Sequence, residues 1–202
     1  MGRGWRRLVG AVLALGLSAC AEGDQPFAFL SGSSGQGVRS YEIFDGALRV
    51  RGPEGYCIDT RASRPRRGFV VLASCARAAG VGLAPDVDAL LTVQVGEPGS
   101  ALVTGREAEI ARLLQAEGAG GIADGSELGG VTTAPGVVYA VYQGGGAPLE
   151  GMRSPYRRAI FDVGDRLVTV VLMRYPDVDV SAREAQALLA VTVAEMRAAN
   201  RG

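Results

Sequence analysis

Neither lysine nor histidine occurs in the 202 residues, and all 21 basic side chains are arginine. Without imidazole there is no Ser-His-Asp or Cys-His nucleophile and no histidine-based zinc site. Without an ε-amine there is no Schiff base, no Ser-Lys dyad and no phosphate-gripping lysine. Aromatic residues make up 6% of the chain, and its one tryptophan, Trp5, stands near the start. An aromatic-lined sugar cleft is therefore not expected. The 21 arginines are matched by 21 acids, which gives no bulk attraction to nucleic acid. No cofactor and no metal is expected.

What is present begins with an address. Arg3, Arg6 and Arg7 precede an apolar run from Leu8 to Leu17, too short to span a bilayer but suited to a secretory leader. Leu17-Ser18-Ala19-Cys20 closes it and looks like a bacterial lipobox. The resemblance implies that Cys20 is acylated, palmitate included, and becomes the first mature residue; the other reading is an ordinary secretory signal. Two or three acyl chains, each at about 0.8 kcal/mol per buried methylene, would anchor the chain stably. Ala21, rather than an aspartate, follows. By the enterobacterial sorting rule this implies the outer membrane, facing the periplasm. Loss of the leader leaves three more acids than bases.

Residues 1–19 are thus read as leader, 20–40 as acylated cysteine and tether, rich in Gly and Ser, and 41–202 as one domain. Two cysteines remain, Cys57 and Cys75. An oxidising compartment favours pairing them. If the chain folds as a hairpin with its tip at Arg64–Arg67, they fall opposite each other. A cross-strand disulfide there is worth about 3 kcal/mol. A redox or metal pair is the alternative, without a CxxC spacing to support it.

Hydrophobic patterning sets the rest. Tyr41–Phe44, Asp45-Gly46 and Ala47–Arg51 form a hairpin signal around a type I′ dipeptide. Strands are expected near 56–58, 68–75 and 89–95. Thr104 and Glu107 have capping-box spacing before Ile110, Leu113 and Leu114, which predicts a helix ending at Gly118. Residues 118–130 are glycine-rich, and Val131–Tyr142 alternates as a strand. Tyr156–Val163 and Arg166–Tyr175 pair around Gly164-Asp165; Leu167–Met173 is the most apolar strand and is expected to be central. Ser181 and Glu184 form a second capping box, followed by Ala185, Leu188, Leu189, Thr192, Val193 and Met196 at helical spacing.

Hairpins with one helix in the middle and one at the end read as α+β: a single antiparallel sheet of about six strands with two main helices packed on it. This order resembles the PsbP-like fold, which includes DcrB-type envelope lipoproteins. The resemblance implies an accessory role in an envelope assembly and supplies no catalytic residue. Residues 52–59, 68–75 and 161–169 also resemble segments of short proteobacterial lipoproteins.

Four arginines, Arg61, Arg64, Arg66 and Arg67, crowd the hairpin tip. They read either as an anion-docking patch, since guanidinium forks fit phosphate and carboxylate, or as a solvated tip that discourages edge aggregation. Asp45, Asp59, Asp162 and Asp165 are the acids from which a two-carboxylate glycosidase would have to be built. The run 117–125 imitates a phosphate loop but follows a helix instead of opening one, which favours a plain loop. The two glycine loops, this one and Gly144–Gly146, could frame a ligand mouth. Tyr139, Tyr142, Tyr156 and Tyr175 are expected on neighbouring strands, either lining a shallow binding face or packing. These features together lead to the expectation of a non-catalytic, lipid-anchored, periplasm-facing accessory or binding protein. Its partners would be the membrane, through its lipid, and an envelope protein or glycan, with no nucleic acid. The alternatives are a carboxylate-dependent envelope hydrolase and a carrier of a small amphiphile.

Overall fold

The computed structural model describes residues 37–82, 84–116, 125–145 and 147–201. The leader, Cys20, most of the tether, most of the 117–125 run and Gly146 lie outside the described residues. The Val38 carbonyl accepts the Ile58 N–H at 2.7 Å, and the Val38 side chain packs on the core.

Strands β1 (Ser40–Ile43) and β2 (Leu48–Arg51) form a separate two-stranded hairpin. Its turn runs through Asp45 at φ 55° and Gly46 at φ 91°, the positive angles that a type I′ turn needs. The other strands are β3 (Tyr56–Arg64), β4 (Phe69–Ser74), β5 (Ala89–Val95), β6 (Glu127–Ala134), β7 (Val137–Gln143), β8 (Arg153–Val163) and β9 (Arg166–Arg174). They build one antiparallel sheet in the order β3-β4-β5-β9-β8-β7-β6. The apolar strand β9 is central, as its composition predicts. Three helices complete the body: α1 (Cys75–Ala79), α2 (Glu107–Ala116) and α3 (Ala182–Ala199).

The class is α+β, but the single sheet of about six strands is corrected to a seven-stranded sheet with a two-stranded hairpin beside it. The extra strand comes from Val131–Tyr142, which is not one strand. Pro135-Gly136 breaks it, with Gly136 at φ 73°, and Ala134 faces Val137 across the turn. Proline at the second and glycine at the third position of a tight turn fold the chain back there.

The two sheet faces are covered differently. On one, α3 buries Ala185, Leu188, Leu189, Thr192, Val193 and Met196, the six positions the helical spacing selects. They meet Val168, Val170 and Leu172 of β9, Ala159 and Phe161 of β8, and the inner side of the β1–β2 hairpin. A fully buried side chain of this kind contributes about 1.5–3 kcal/mol. The capping box forms as expected: Ser181 Oγ accepts the Glu184 N–H, and the Glu184 carboxylate accepts the Ser181 N–H at 2.9 Å. Ser181→Ala is expected to cost about 1 kcal/mol, read as a lower urea midpoint at unchanged slope.

The opposite face carries a smaller core of Ala140, Tyr142, Tyr156 and Met173, with Leu114 of α2 against it. No α2 residue is fully buried, and Leu113 is exposed. The expected Thr104–Glu107 capping box does not form. The Thr104 N–H goes instead to Asp162 at 2.7 Å, and Glu107 opens the helix. Its carboxylate accepts N–H groups from Gly105 at 3.1 Å and from Gly136 at 2.6 Å. This ties α2 to the β6–β7 turn.

Candidate functional site

The β3–β4 hairpin carries the candidate site at its tip and the disulfide at its mouth. Cys57 and Cys75 are bonded, with Cα atoms 4.7 Å apart. They are not directly opposite: Cys57 faces Ala73, and Cys75 lies just beyond the strand, at the first residue of α1. The expected register is offset by an irregularity in β3 between Asp59 and Arg64. Asp59 faces Val71 and Arg64 faces Phe69, so β3 carries more residues than β4 over this stretch. The surplus bulges. Asp59 Oδ1 accepts the N–H groups of Arg61 (2.9 Å) and Ala62 (3.1 Å). Buried Ser63 replaces the missing ladder bonds by accepting the Val71 N–H at 3.0 Å and donating to the Asp59 carbonyl at 2.6 Å.

A 3-10 turn, Pro65–Arg67, closes the tip, and Gly68 ends it at φ 64°. Only glycine fits there. A Cβ would lie 2.5 Å from the Val95 carbonyl and 2.7 Å from the Phe44 ring. The tip is stitched to β5: Val95 N–H donates to the Gly68 carbonyl at 2.9 Å, and Gln94 Nε2 to the Arg67 carbonyl at 2.9 Å. The Arg166 guanidinium stands 4.4 Å from the centre of the Phe44 ring and brings a further positive charge to this end of the sheet.

Arg61, Arg64, Arg66 and Arg67 are all exposed. One Arg64 nitrogen donates to the Arg61 and Ser63 carbonyls, both at 2.8 Å, which pins that side chain to the tip. Among the described residues no carboxylate forms an ion pair with any of the four. A fixed backbone thus holds several guanidinium forks without an internal counterion. That suits bidentate engagement of carboxylate or phosphate from outside.

The acids take other roles. Asp162 accepts N–H groups from Leu102 (3.0 Å), Val103 (2.9 Å) and Thr104 (2.7 Å). Burial pushes its pKa up, yet these donors outweigh it, and the carboxyl lies below its ordinary range. Asp165 accepts the Gly99 N–H at 3.1 Å. Asp59 caps the bulge and Asp45 occupies a turn.

The four tyrosines do not form one surface. Tyr139 packs in the α3-side core. Tyr142 and Tyr156 stack on the opposite face with centroids 5.0 Å apart, and the Arg158 guanidinium stands 4.8 Å from the Tyr142 ring centre. Tyr175 lies under Arg77, whose guanidinium is 4.0 Å from its ring centre and pairs with Asp88 at 2.7 Å; burial pushes its hydroxyl up to about 12. Packing accounts for all four.

Sequence reasoning passed over Arg157 and Arg174. The signal was available in strand parity. Val163, Phe161, Ala159 and Arg157 alternate on β8, and Val168, Val170, Leu172 and Arg174 on β9. Each arginine therefore continues the row that faces the main core.

No family model and no curated protein matches the chain. Among solved structures, the chain is similar to a protein of Bacteroides thetaiotaomicron VPI-5482. Identity is 15% and TM-score 0.37, over 77% of this chain and 47% of that one. The chain thus spans about half the length of that protein. It is also similar to the cyanobacterial PsbP protein CyanoP from Synechocystis sp. PCC 6803, with 16% identity and TM-score 0.42, over 81% of this chain and 94% of that one.

Proposed function

We propose that the protein is a non-catalytic binding module, anchored in the bacterial envelope by a lipid on Cys20 and facing the periplasm, that docks an acidic envelope protein or glycan through its arginine tip. The observation that carries this reading is the display of Arg61, Arg64, Arg66 and Arg67 at the stitched hairpin tip with no ion-pair partner among the described residues. The absence of lysine and histidine supports the non-catalytic part, as does the engagement of Asp59, Asp162 and Asp165 by backbone N–H groups. The Leu17–Cys20 quartet supports the anchor.

Sedimentation of the full chain with purified cell-wall sacculi, which carry carboxylates, tests the docking surface. Retention is expected at low salt, falling as salt screens the arginines. An Arg61→Ala/Arg66→Ala/Arg67→Ala variant is expected to lose it by about tenfold, which corresponds to about 1.4 kcal/mol. Equal retention of that variant overturns the tip reading. Release of soluble fragments, abolished by an Asp→Asn change, would install the hydrolase reading in its place. Radiolabelled palmitate should mark the chain and fail to mark Cys20→Ala.

A further inference from the structure

The arginine tip sits near the start of β9. At the other end of that strand Arg174 ends the row Val168, Val170, Leu172, and Arg157 of β8 stands directly across from Leu172. Both arginines are partly buried. Between them and the first turns of α3 lies a cavity of about 170 Å³, walled on its apolar side by Pro155, Leu172, Val180 and Ala185.

Among the described residues neither guanidinium forms an ion pair with an acid. The ion pairs among the described residues engage Arg49, Arg51, Arg77 and Arg106. Glu184, in the adjacent helix turn, is committed to the Ser181 N–H. Arg174 donates one terminal nitrogen to the Ser154 carbonyl at 2.5 Å, while its Nε is buried with no hydrogen-bond partner. Burial, and then the neighbouring Arg174 charge, hold the Arg157 guanidinium below the usual arginine range. Two like charges around one cavity are unfavourable by themselves. An anion in the cavity would supply the missing charge.

The walls select among anions. A phosphate dianion turns oxygens in every direction and would press several against carbon. A carboxylate has one polar end and one apolar end, as the cavity does, and its two oxygens match planar guanidinium forks. The volume is that of about five or six waters, at about 30 Å³ each. That suits an acid of four to six carbons better than acetate.

We propose that this cavity binds a small organic carboxylate, held at its charged end by Arg157 and Arg174 and along its carbon chain by Leu172, Val180 and Ala185. The source is either a free acid or the carboxylate end of a longer chain. The site is separate from the arginine tip, and its failure would leave the docking reading untouched.

Thermal melts and calorimetric titration of the full chain test it. The probes are isovalerate, its uncharged analogue isoamyl alcohol, inorganic phosphate, and a short peptide with a C-terminal valine. Isovalerate is expected to raise the melting temperature saturably; the alcohol and phosphate are not. Binding of the peptide as tightly as isovalerate assigns the site to chain ends, and weaker binding assigns it to free acids. Arg157→Met and Arg174→Met should each abolish the response. The ligand-free Arg157→Met protein should melt at or above the parent, because it loses an unpaired, desolvated charge; that result separates lost binding from lost folding. The proposal is overturned by a parent that ignores isovalerate, by a response that survives both substitutions, or by a preference for phosphate. It is equally overturned if ligand-free Arg157→Met melts well below the parent.

Discussion

Asp162→Ala is expected to lower the unfolding free energy by about 2–3 kcal/mol, although no arginine among the described residues forms an ion pair with this carboxylate. Its two oxygens receive three consecutive main-chain donors, from Leu102, Val103 and Thr104. Val103 is fully buried, so its N–H would be left without water or acceptor. Leu102 and Thr104 are exposed, and water can replace part of what they lose, which keeps the figure below the sum of three charged hydrogen bonds. The segment matters because it leads directly into α2, whose first-turn amides of Glu109 and Ile110 bond back to the Arg106 carbonyl just beyond it. The same carboxylate gives a signature in pH. Its folded pKa is depressed relative to the unfolded value of about 3.9. Its stabilisation is therefore complete above about pH 4 and is lost as pH falls from there through the lower folded value. Urea midpoints of the parent should drop through that window. Asp162→Asn, with one acceptor oxygen instead of two, should start lower and show a shallower acid decline. An unchanged midpoint in Asp162→Ala would mean that the loop before α2 does not depend on this anchor.

Asp162 also shows which parts of the structure local reasoning can reach. The α3 helix was legible because its cap and its buried face are settled within a few residues: Ser181 and Glu184 are three apart, and the apolar spacing is that of one helix face. The centrality of β9 followed from its composition, and the Asp45-Gly46 turn from its dipeptide. Thr104 and Glu107 have the same spacing as Ser181 and Glu184 and yet form no box, because an aspartate 58 positions away takes the Thr104 N–H. Nothing local to Thr104 reveals that competitor. Pro135-Gly136 is a different kind of miss. The turn signal was present, but the alternation on either side read as continuous through it, and this hid a strand.

The candidate sites divide along the same line. The arginine tip was legible as composition, four arginines in seven residues of a hairpin end. Its rigidity was not, because that rests on Gly68 fitting against Val95 of β5 and Phe44 of the β1–β2 turn. The bulge that shifts the hairpin register depends on Ser63 and Asp59 bonding to main chain, and a count of positions between cysteines does not register an extra loop of strand. Arg157 and Arg174 were recoverable from alternation alone. Arginines are ordinarily assigned to the wet face of a strand, and here two of them continue the dry one.

Removing the disulfide by Cys57→Ala/Cys75→Ala should cost about 3 kcal/mol, a fall in melting temperature of about 6–12 °C for a domain of this size. Alanine is the informative replacement. Cys57 is fully buried, and a serine there would add an unsatisfied hydroxyl to the loss of the bond. The damage should also be local. β3 is an edge strand with β4 as its one neighbour in the sheet; the disulfide closes the open end of their hairpin and ties it to the start of α1. The opposite end is held independently by the Gly68–Val95 and Arg67–Gln94 hydrogen bonds. Amide exchange should therefore accelerate first at Ile58 and Leu72, which pair near the disulfide. The amides of β9 and α3 should be protected up to global unfolding. Below its own melting temperature the double variant should still sediment with sacculi like the parent, because the arginines are positioned by β5 and not by the sulfur bridge. Loss of retention in a variant whose β9 amides remain protected would show that the bridge sets the tip, and that the stitching to β5 is too weak to hold it alone.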